Sequence, residues 1–166
     1  MADEKKLTSA VDDASIARER EWNARVDWFL QSLVEMANNS PAAVSFGLTI
    51  SVGGMLVSGE LVSGQQYFEG FGIEFAGTFK DAKAAASVKE SFSKLGGNIY
   101  SAGRKEDASA PKSPSGAASG PSYIHLKNAR FFDPSGKPTA STQGTWWRGK
   151  LSAVDGFSLG VVKVDE

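Results

Sequence analysis

The chain has 166 residues, 41% of them hydrophobic and 22% charged, which is typical of one globular domain with a buried core. Because it contains no cysteine, disulfides and thiolate metal sites are excluded, and a net charge of −1 argues against the concentrated basic face of a nucleic-acid binder. The sequence shows no secretory leader and no continuous apolar segment of about 18 residues, so we expect a cytoplasmic protein that does not enter a membrane.

The chain opens with a polar segment, residues 1–13, whose mixed charges predict a mobile tail. Apolar residues then recur every three or four positions between Trp22 and Ala37, which predicts a helix from about residue 14 to Asn38. Candidate N-caps for this helix are Asp12, Asp13 and Ser15. Pro41, which cannot continue a helix, marks its end.

A β-hairpin is predicted next. Apolar and small polar residues alternate strictly from Val44 to Val52, as in a half-buried strand. Gly53-Gly54 can adopt the two positive φ values of a tight turn, and a second alternating segment returns through Leu61.

Helical spacing resumes between Gln65 and Leu95, where phenylalanines recur every three or four residues. This pattern predicts one long helix, bent by its internal glycines and ended by Gly96-Gly97. Residues 14–100 are therefore expected to supply a helix, a hairpin and a long helix to a single α+β domain.

A linker and a second group of strands complete the chain. Residues 101–121 are rich in Ser, Ala, Gly and Pro and contain no aromatic or branched apolar residue, which predicts a flexible linker. Residues 122–164 are expected to form a β-meander of the same domain. Its predicted strands are Tyr123–Phe132, Thr145–Ala153 and Phe157–Val164.

These elements predict an α+β fold in which about five antiparallel strands form a small sheet or a partly closed barrel, packed with two long helices. Periodicity leaves open the strand order and the closure of the sheet. The helices carry more apolar surface than one small sheet covers, so we expect a homo-oligomer.

Few residues in the sequence suggest catalysis. His125 is the one histidine, and it lies on the strand face opposite Ile124 and Leu126, which favours a surface or half-buried strand position. Without a second His or a Cys it cannot complete a thiol–imidazole pair or a common zinc site, and no carboxylate pair suggests acid–base chemistry. Gly70-Phe71-Gly72 lacks the third glycine of a dinucleotide fingerprint, so no cofactor, metal or catalytic residue is predicted.

The most unusual segment is Trp146-Trp147-Arg148, in a predicted strand. Adjacent strand residues face opposite sides, so one tryptophan should enter the core and the other should point outward, unless a helix covers both faces. Trp and Arg are over-represented at binding hot spots. Aromatic and basic residues also occur in the preceding predicted strand, at Tyr123, His125 and Arg130.

Three segments resemble the gas vesicle accessory protein U family (GvpU): the run from Tyr123 to Phe132, the run from Trp146 to Leu151, and the run from Val154 to Gly160. The hairpin from Leu48 to Gly59 and the Tyr67-Phe68-Glu69 segment are also similar to that family. The resemblance covers most of residues 26–162.

The resemblance implies a non-enzymatic cytoplasmic accessory of gas vesicles that affects their assembly or clustering. We expect it to bind the vesicle shell, other gas vesicle proteins or copies of itself. The predicted interaction surface comprises Tyr123, His125, Arg130, Trp146 and Arg148. The alternative is an Sm-like small-barrel module that binds nucleic acid, since a helix followed by five short strands is similar in outline to those proteins, although the charge balance disfavours phosphate binding.

Overall fold

The computed structural model describes residues 26–40, 44–100, 120–139 and 143–162. Their elements in chain order are α1 (Trp28–Asn39), β1 (Phe46–Val52), β2 (Met55–Leu61), α2 (Gly64–Ala76), α3 (Ala82–Tyr100), β3 (Tyr123–Phe132), β4 (Thr145–Lys150), a 3₁₀ turn (Leu151–Ala153) and β5 (Gly156–Leu159). The predicted tail 1–13 and nearly all of the predicted linker 101–121 lie outside the described residues, so both remain predictions.

The strands form one antiparallel sheet in the order β4-β3-β2-β1-β5. Gly53 and Gly54 join β1 to β2 with φ values of 57° and 80°, as a two-residue hairpin turn requires. The predicted α+β class, the five antiparallel strands and the hairpin are confirmed. The sheet is open, so the partly closed barrel that the sequence left as an alternative is not formed.

The C-terminal strands do not form the predicted meander, because β5 pairs with β1 at the far edge and not with β4. On a flat sheet, four strand spacings of about 4.8 Å would separate these edges by about 19 Å. The link of five residues, three in a 3₁₀ turn, extends only about 16 Å, so the sheet must curve. Leu151 and Val154 pack into the core along this link.

Helix α1 covers one side of the sheet, which we call the first face. Its buried residues pack against the apolar side chains that alternate along β1, β2 and β3; those of α1 are Leu30, Val34 and Ala37. Asp27 starts the helix in an extended conformation, and its Oδ1 accepts the N–H groups of Phe29 at 2.8 Å and Leu30 at 3.0 Å. The prediction of one continuous helix from about residue 14 is therefore wrong, because the chain is extended at Asp27. The candidate caps Asp12, Asp13 and Ser15 lie outside the described residues.

The long helix predicted from Gln65 to Leu95 is in fact a helical hairpin, α2 and α3, so the described chain has three helices and not two long ones. Gly77 caps α2. Asp81 then starts α3 by accepting the N–H of Ala84 at 2.7 Å. The phenylalanine spacing continues across this turn, which is why periodicity alone indicated a single helix.

Helices α2 and α3 approach each other closely where one of them has a glycine. Gly72 lies against Phe92 and Gly96 against Phe68, so a β-carbon at either position would crowd the opposite ring. The predicted end at Gly96-Gly97 is wrong: neither glycine adopts the positive φ of a helix C-cap, and α3 continues through both of them to Tyr100. None of the described helices combines the length and apolarity needed to cross a bilayer.

Candidate functional site

The opposite side of the sheet, the second face, holds a cluster of rings where α2 and the end of α3 meet β3 and β4. We call it the aromatic cluster; its members are Tyr67, Phe68, Tyr100, Tyr123, His125, Trp146 and Arg148. Strand alternation places His125 on this face because Ile124 and Leu126 enter the core on the other. The capping box of Ser63 and Gln66 starts α2 so that Tyr67 lies over His125.

His125 lies at the centre of the aromatic cluster and is completely buried, deeper than the surface or half-buried position that the sequence predicted. Its Nε2 is 3.3 Å from the Tyr100 hydroxyl, and its ring centroid is 4.8 Å from that of Tyr67. Among the described residues its Nδ1 has no hydrogen-bond partner. Burial, assisted by the charge of Arg148, lowers the pKa of His125 to about 3, so the imidazole is neutral near pH 7.

The phenols around His125 are also protonated at neutral pH. Burial raises the pKa of both Tyr67 and Tyr100, and the positive charge of Arg148 opposes this only in part. The cluster thus combines a neutral imidazole, phenols and one guanidinium, and contains no carboxylate. This chemistry suits docking of the helical hairpin onto the sheet, and the described residues include no group of three His, Asp or Glu side chains able to hold a metal.

Arg148 and Tyr123 form the solvent-facing part of the aromatic cluster. Strand register pairs Arg148 with His125, and the Arg148 guanidinium carbon lies 3.5 Å from the centroid of the Tyr123 ring. Arg148 is exposed and Tyr123 half-buried. A cation stacked in this way is held in place while its charge still faces solvent.

The two tryptophans of β4 take opposite faces, as predicted. Trp147 packs against the core on the first face. Trp146 points to the second face, where Gly70 of α2 leaves space for its ring, so it is half-buried and not exposed. The exposed tryptophan that the sequence predicted is therefore not found, because α2 covers the second face while α1 covers the first.

Arg130 lies apart from the aromatic cluster, in a groove of about 410 Å³ lined by Ser58, Gly59, Glu60, Asn128, Arg130, Val161 and Val162. Glu60 in this groove binds Lys127 at 3.0 Å and accepts the Asn128 amide at 3.1 Å, contacts that lower its pKa. The five residues of the predicted interaction surface therefore do not form one surface. His125 is buried and Trp146 half-buried under α2, Arg148 and Tyr123 form the solvent-facing pair, and Arg130 lies in the separate groove. Their binding role stays a prediction.

Two exposed apolar surfaces were not predicted. The first, which we call the β5 surface, comprises Trp28, Phe29, Phe157 and Leu159. Trp28 is 76% exposed and Leu159 67% exposed. The Trp28, Phe29 and Phe157 rings contact in series, with centroids 5.7 and 5.8 Å apart.

The second exposed surface is the hairpin tip, formed by Phe71, Phe75, Phe79 and Phe92. Phe71, Phe75 and Phe79 are four residues apart in the sequence, and this spacing is the signal that could have revealed the surface. In the sequence the spacing indicates the core-facing stripe of one helix, whereas the turn at Gly77 leaves Phe75 and Phe79 substantially exposed.

Comparison with known proteins identifies the family. The family described as gas vesicle protein GvpU-like matches residues 27–162, a range that contains the whole sheet, the three helices and the surfaces described above. No curated protein and no solved structure gives a significant match. By the extent of this family match, the chain belongs to the GvpU-like family of gas vesicle proteins.

Proposed function

We propose that this protein is a non-enzymatic, cytoplasmic gas vesicle accessory that binds vesicles, copies of itself or both, and so promotes vesicle assembly or clustering. The observation that supports the proposal is the presence of three separate exposed surfaces within the family-matched residues. They are the Arg148–Tyr123 pair, the β5 surface and the hairpin tip. Exposed apolar patches of this kind favour protein partners.

Separate surfaces matter because clustering requires each molecule to make more than one contact. A protein that binds one vesicle by one surface and a second molecule by another joins two vesicles, and weak single contacts then add up through multivalency. The single histidine supports a binding role, since its buried, neutral ring holds the helical hairpin against the sheet.

Flotation of purified gas vesicles with added protein tests the proposal. We assign the shell contact to Arg148 and Tyr123, and we expect Arg148→Glu to reduce the co-floating protein several-fold. Lys89→Glu is the matched control, because Lys89 is an exposed cation on α3 away from that pair. Trp146 is left intact because its ring also supports α2. Equal flotation of wild type and Arg148→Glu would remove this surface from the proposal, and no flotation of wild type would overturn shell binding itself.

The alternative, an Sm-like nucleic-acid module, has one supporting observation. Arg130, Arg148 and Lys150 are exposed and lie on strands β3 and β4. Glu60 neutralises the neighbouring Lys127, and the α2–α3 hairpin occupies the adjoining surface, which both weaken the case. A salt-sensitive gel shift of single-stranded RNA that disappears in Arg130→Glu would favour this alternative.

A further inference from the structure

Strands β4 and β5 form the two open edges of the sheet. Among the described residues, β4 pairs with β3 alone and β5 with β1 alone. Within the part of the chain that the structure describes, the outer edge of each strand therefore presents N–H and C=O groups that no neighbouring strand pairs, which are a template for another strand.

Hydrogen bonds at the strand ends show which backbone groups point outward. The N–H of Gly160 binds the Gly47 carbonyl at 2.8 Å, so alternation directs the Ser158 N–H toward β1 and that of Leu159 toward the open edge. The N–H of Leu151 binds the Ser122 carbonyl at 3.0 Å, which likewise directs the Lys150 N–H outward.

The two edges have complementary charge. Residues 143–150, which contain β4, include the cations Arg148 and Lys150 and no acidic residue. Residues 154–162, which contain β5, include Asp155 and no basic residue, and Asp27 is the N-cap of α1, whose Phe29 contacts Phe157 of β5. Two β4 edges brought together would set like charges against each other, as would two β5 edges.

The β5 edge is also apolar. Leu159 and Trp28 are among the most exposed large hydrophobic side chains: Leu159 shares the face of β5 that Phe157 occupies, and Trp28 is linked to Phe157 through the Phe29 ring. An apolar open edge is an aggregation hazard unless a partner covers it. Strand β4 of another copy would bring two half-buried tryptophans and two cations to this edge.

We propose that the partner of the β5 edge is the β4 edge of a second copy of this chain, so that copies join head to tail through a continuous sheet. This inference specifies the self-association included in the proposed function and depends on that function only for its biological role. A head-to-tail contact uses two different surfaces, so each copy still offers one free edge after pairing, and growth continues until a ring closes or a filament forms.

The test uses two proline variants that each block one edge. Lys150→Pro removes the outward N–H of β4, and the native φ of −77° at Lys150 already suits proline. Leu159→Pro removes an outward N–H of β5 and leaves the bond of Gly160 to Gly47 in place. Lys150→Ala and Leu159→Ala are the matched controls, because they remove the same side chains and keep the N–H groups.

Light scattering during size-exclusion chromatography gives the mass of each sample. We expect wild type to form assemblies of several copies, each proline variant to be a monomer, and an equal mixture of the two to form a dimer of twice the monomer mass. The mixture regains one contact because each variant keeps the edge that the other lacks. The alanine controls should assemble more weakly than wild type but remain larger than monomers.

Several outcomes would overturn the inference: a wild type that stays monomeric at every concentration, a proline variant that forms wild-type assemblies, or a mixture that stays monomeric although both variants show the circular dichroism of the wild type. Vesicle flotation of the same variants separates this inference from the proposed function, because both keep Arg148 and Tyr123. If the wild type and both proline variants float with the vesicles but none of the three assembles in solution, shell binding stands and edge pairing is wrong.

Discussion

At the scale of single residues, His125 shows how its surroundings determine the role of a titratable group. It is enclosed by Tyr67 of α2, Tyr100 of α3 and the Tyr123–Arg148 pair of the sheet edge. Burial raises the pKa of Tyr67 and Tyr100, so their phenols carry no negative charge that would favour a protonated imidazole, and the charge of Arg148 disfavours a second positive charge nearby. The histidine therefore stabilises the fold only while it is neutral.

This arrangement predicts a pH dependence of stability. The pKa of His125 is about 3 in the folded protein and close to 6.5 in the unfolded chain, so its contribution is complete above pH 6.5 and is lost as the pH falls toward 3. At pH 4.5 the free energy of unfolding should be about 2 to 3 kcal/mol lower than at pH 7 because of this group. Urea unfolding at both pH values measures the loss.

The comparison variant is His125→Gln, which cannot titrate. Glu60 and Asp133, whose pKa values are lowered by hydrogen bonds, also destabilise the fold in acid, but they do so equally in both proteins. The difference between the two pH dependences therefore isolates the histidine, and identical curves would contradict its buried, neutral state.

Gly70 supports a second prediction. A β-carbon there would overlap the Trp146 ring, so Gly70→Ala should lower the free energy of unfolding by about 1 to 3 kcal/mol despite the better helix propensity of alanine. Gly97 lies inside α3 with open space around its α-carbon, and Gly97→Ala should raise the free energy by about 0.5 to 1 kcal/mol. Urea denaturation of both variants gives the two values, and effects of the same sign would show that Trp146 does not pack on α2.

At the scale of elements, the sequence predicted strands better than helices. Strict alternation and Gly53-Gly54 specify the β1–β2 hairpin locally, and the same alternation predicted β3 over Tyr123–Phe132. The division of the long helix depends on Asp81 and Gly77, which are weak signals inside a continuous phenylalanine pattern. The pairing of β5 with β1 involves strands about a hundred residues apart, and periodicity carries no information on such partners.

In the candidate site, too, the sequence predicted what depends on strands better than what depends on helices. Strand register brings together Tyr123, His125 and Arg148, which are three of the five residues of the predicted interaction surface. The burial of His125 and Trp146 depends on where α2 lies, which no local pattern reveals. The β5 surface likewise arises only after α1 and β5 meet through Phe29 and Phe157.

Helix α1 supports the third prediction, since among the described helices it is the one that packs on the first face of the sheet. Leu30 is 1% exposed, and Leu30→Ala should lower the free energy of unfolding by about 2 to 5 kcal/mol because a cavity remains. Met36 is on the same helix but 48% exposed, and Met36→Ala should change the free energy of unfolding by less than about 0.5 kcal/mol. Thermal unfolding followed by circular dichroism compares the stabilities of the two variants with that of the wild type. Equal losses of stability would contradict the packing of α1 on the sheet.

At the scale of the whole molecule, the segment after β5 is hydrogen-bonded to both β1 and β2. After β5, Thr49 donates its hydroxyl to the Gly160 carbonyl at 2.9 Å, and the Val162 N–H binds the Ser58 hydroxyl at 2.8 Å. These bonds attach the segment to β1 and β2 and fix β5 at the edge of the sheet. The position of β5 is thus fixed both by these bonds and by its five-residue link to β4, so each molecule presents its two different open edges in one fixed arrangement.

The last prediction joins this geometry to vesicle clustering. A Lys150→Pro molecule keeps its β5 edge and its Arg148–Tyr123 pair but cannot offer a β4 edge, so it should end a growing assembly without losing contact with vesicles. Adding it to wild-type protein at constant total concentration should therefore reduce the size of vesicle clusters progressively as its fraction rises, with dynamic light scattering as the measurement. Lys150→Ala, which keeps the N–H, should reduce clustering far less at the same fraction. If both variants acted alike, clustering would depend on the charge of Lys150 and not on a shared strand edge, and the rigid head-to-tail assembly would have to be abandoned.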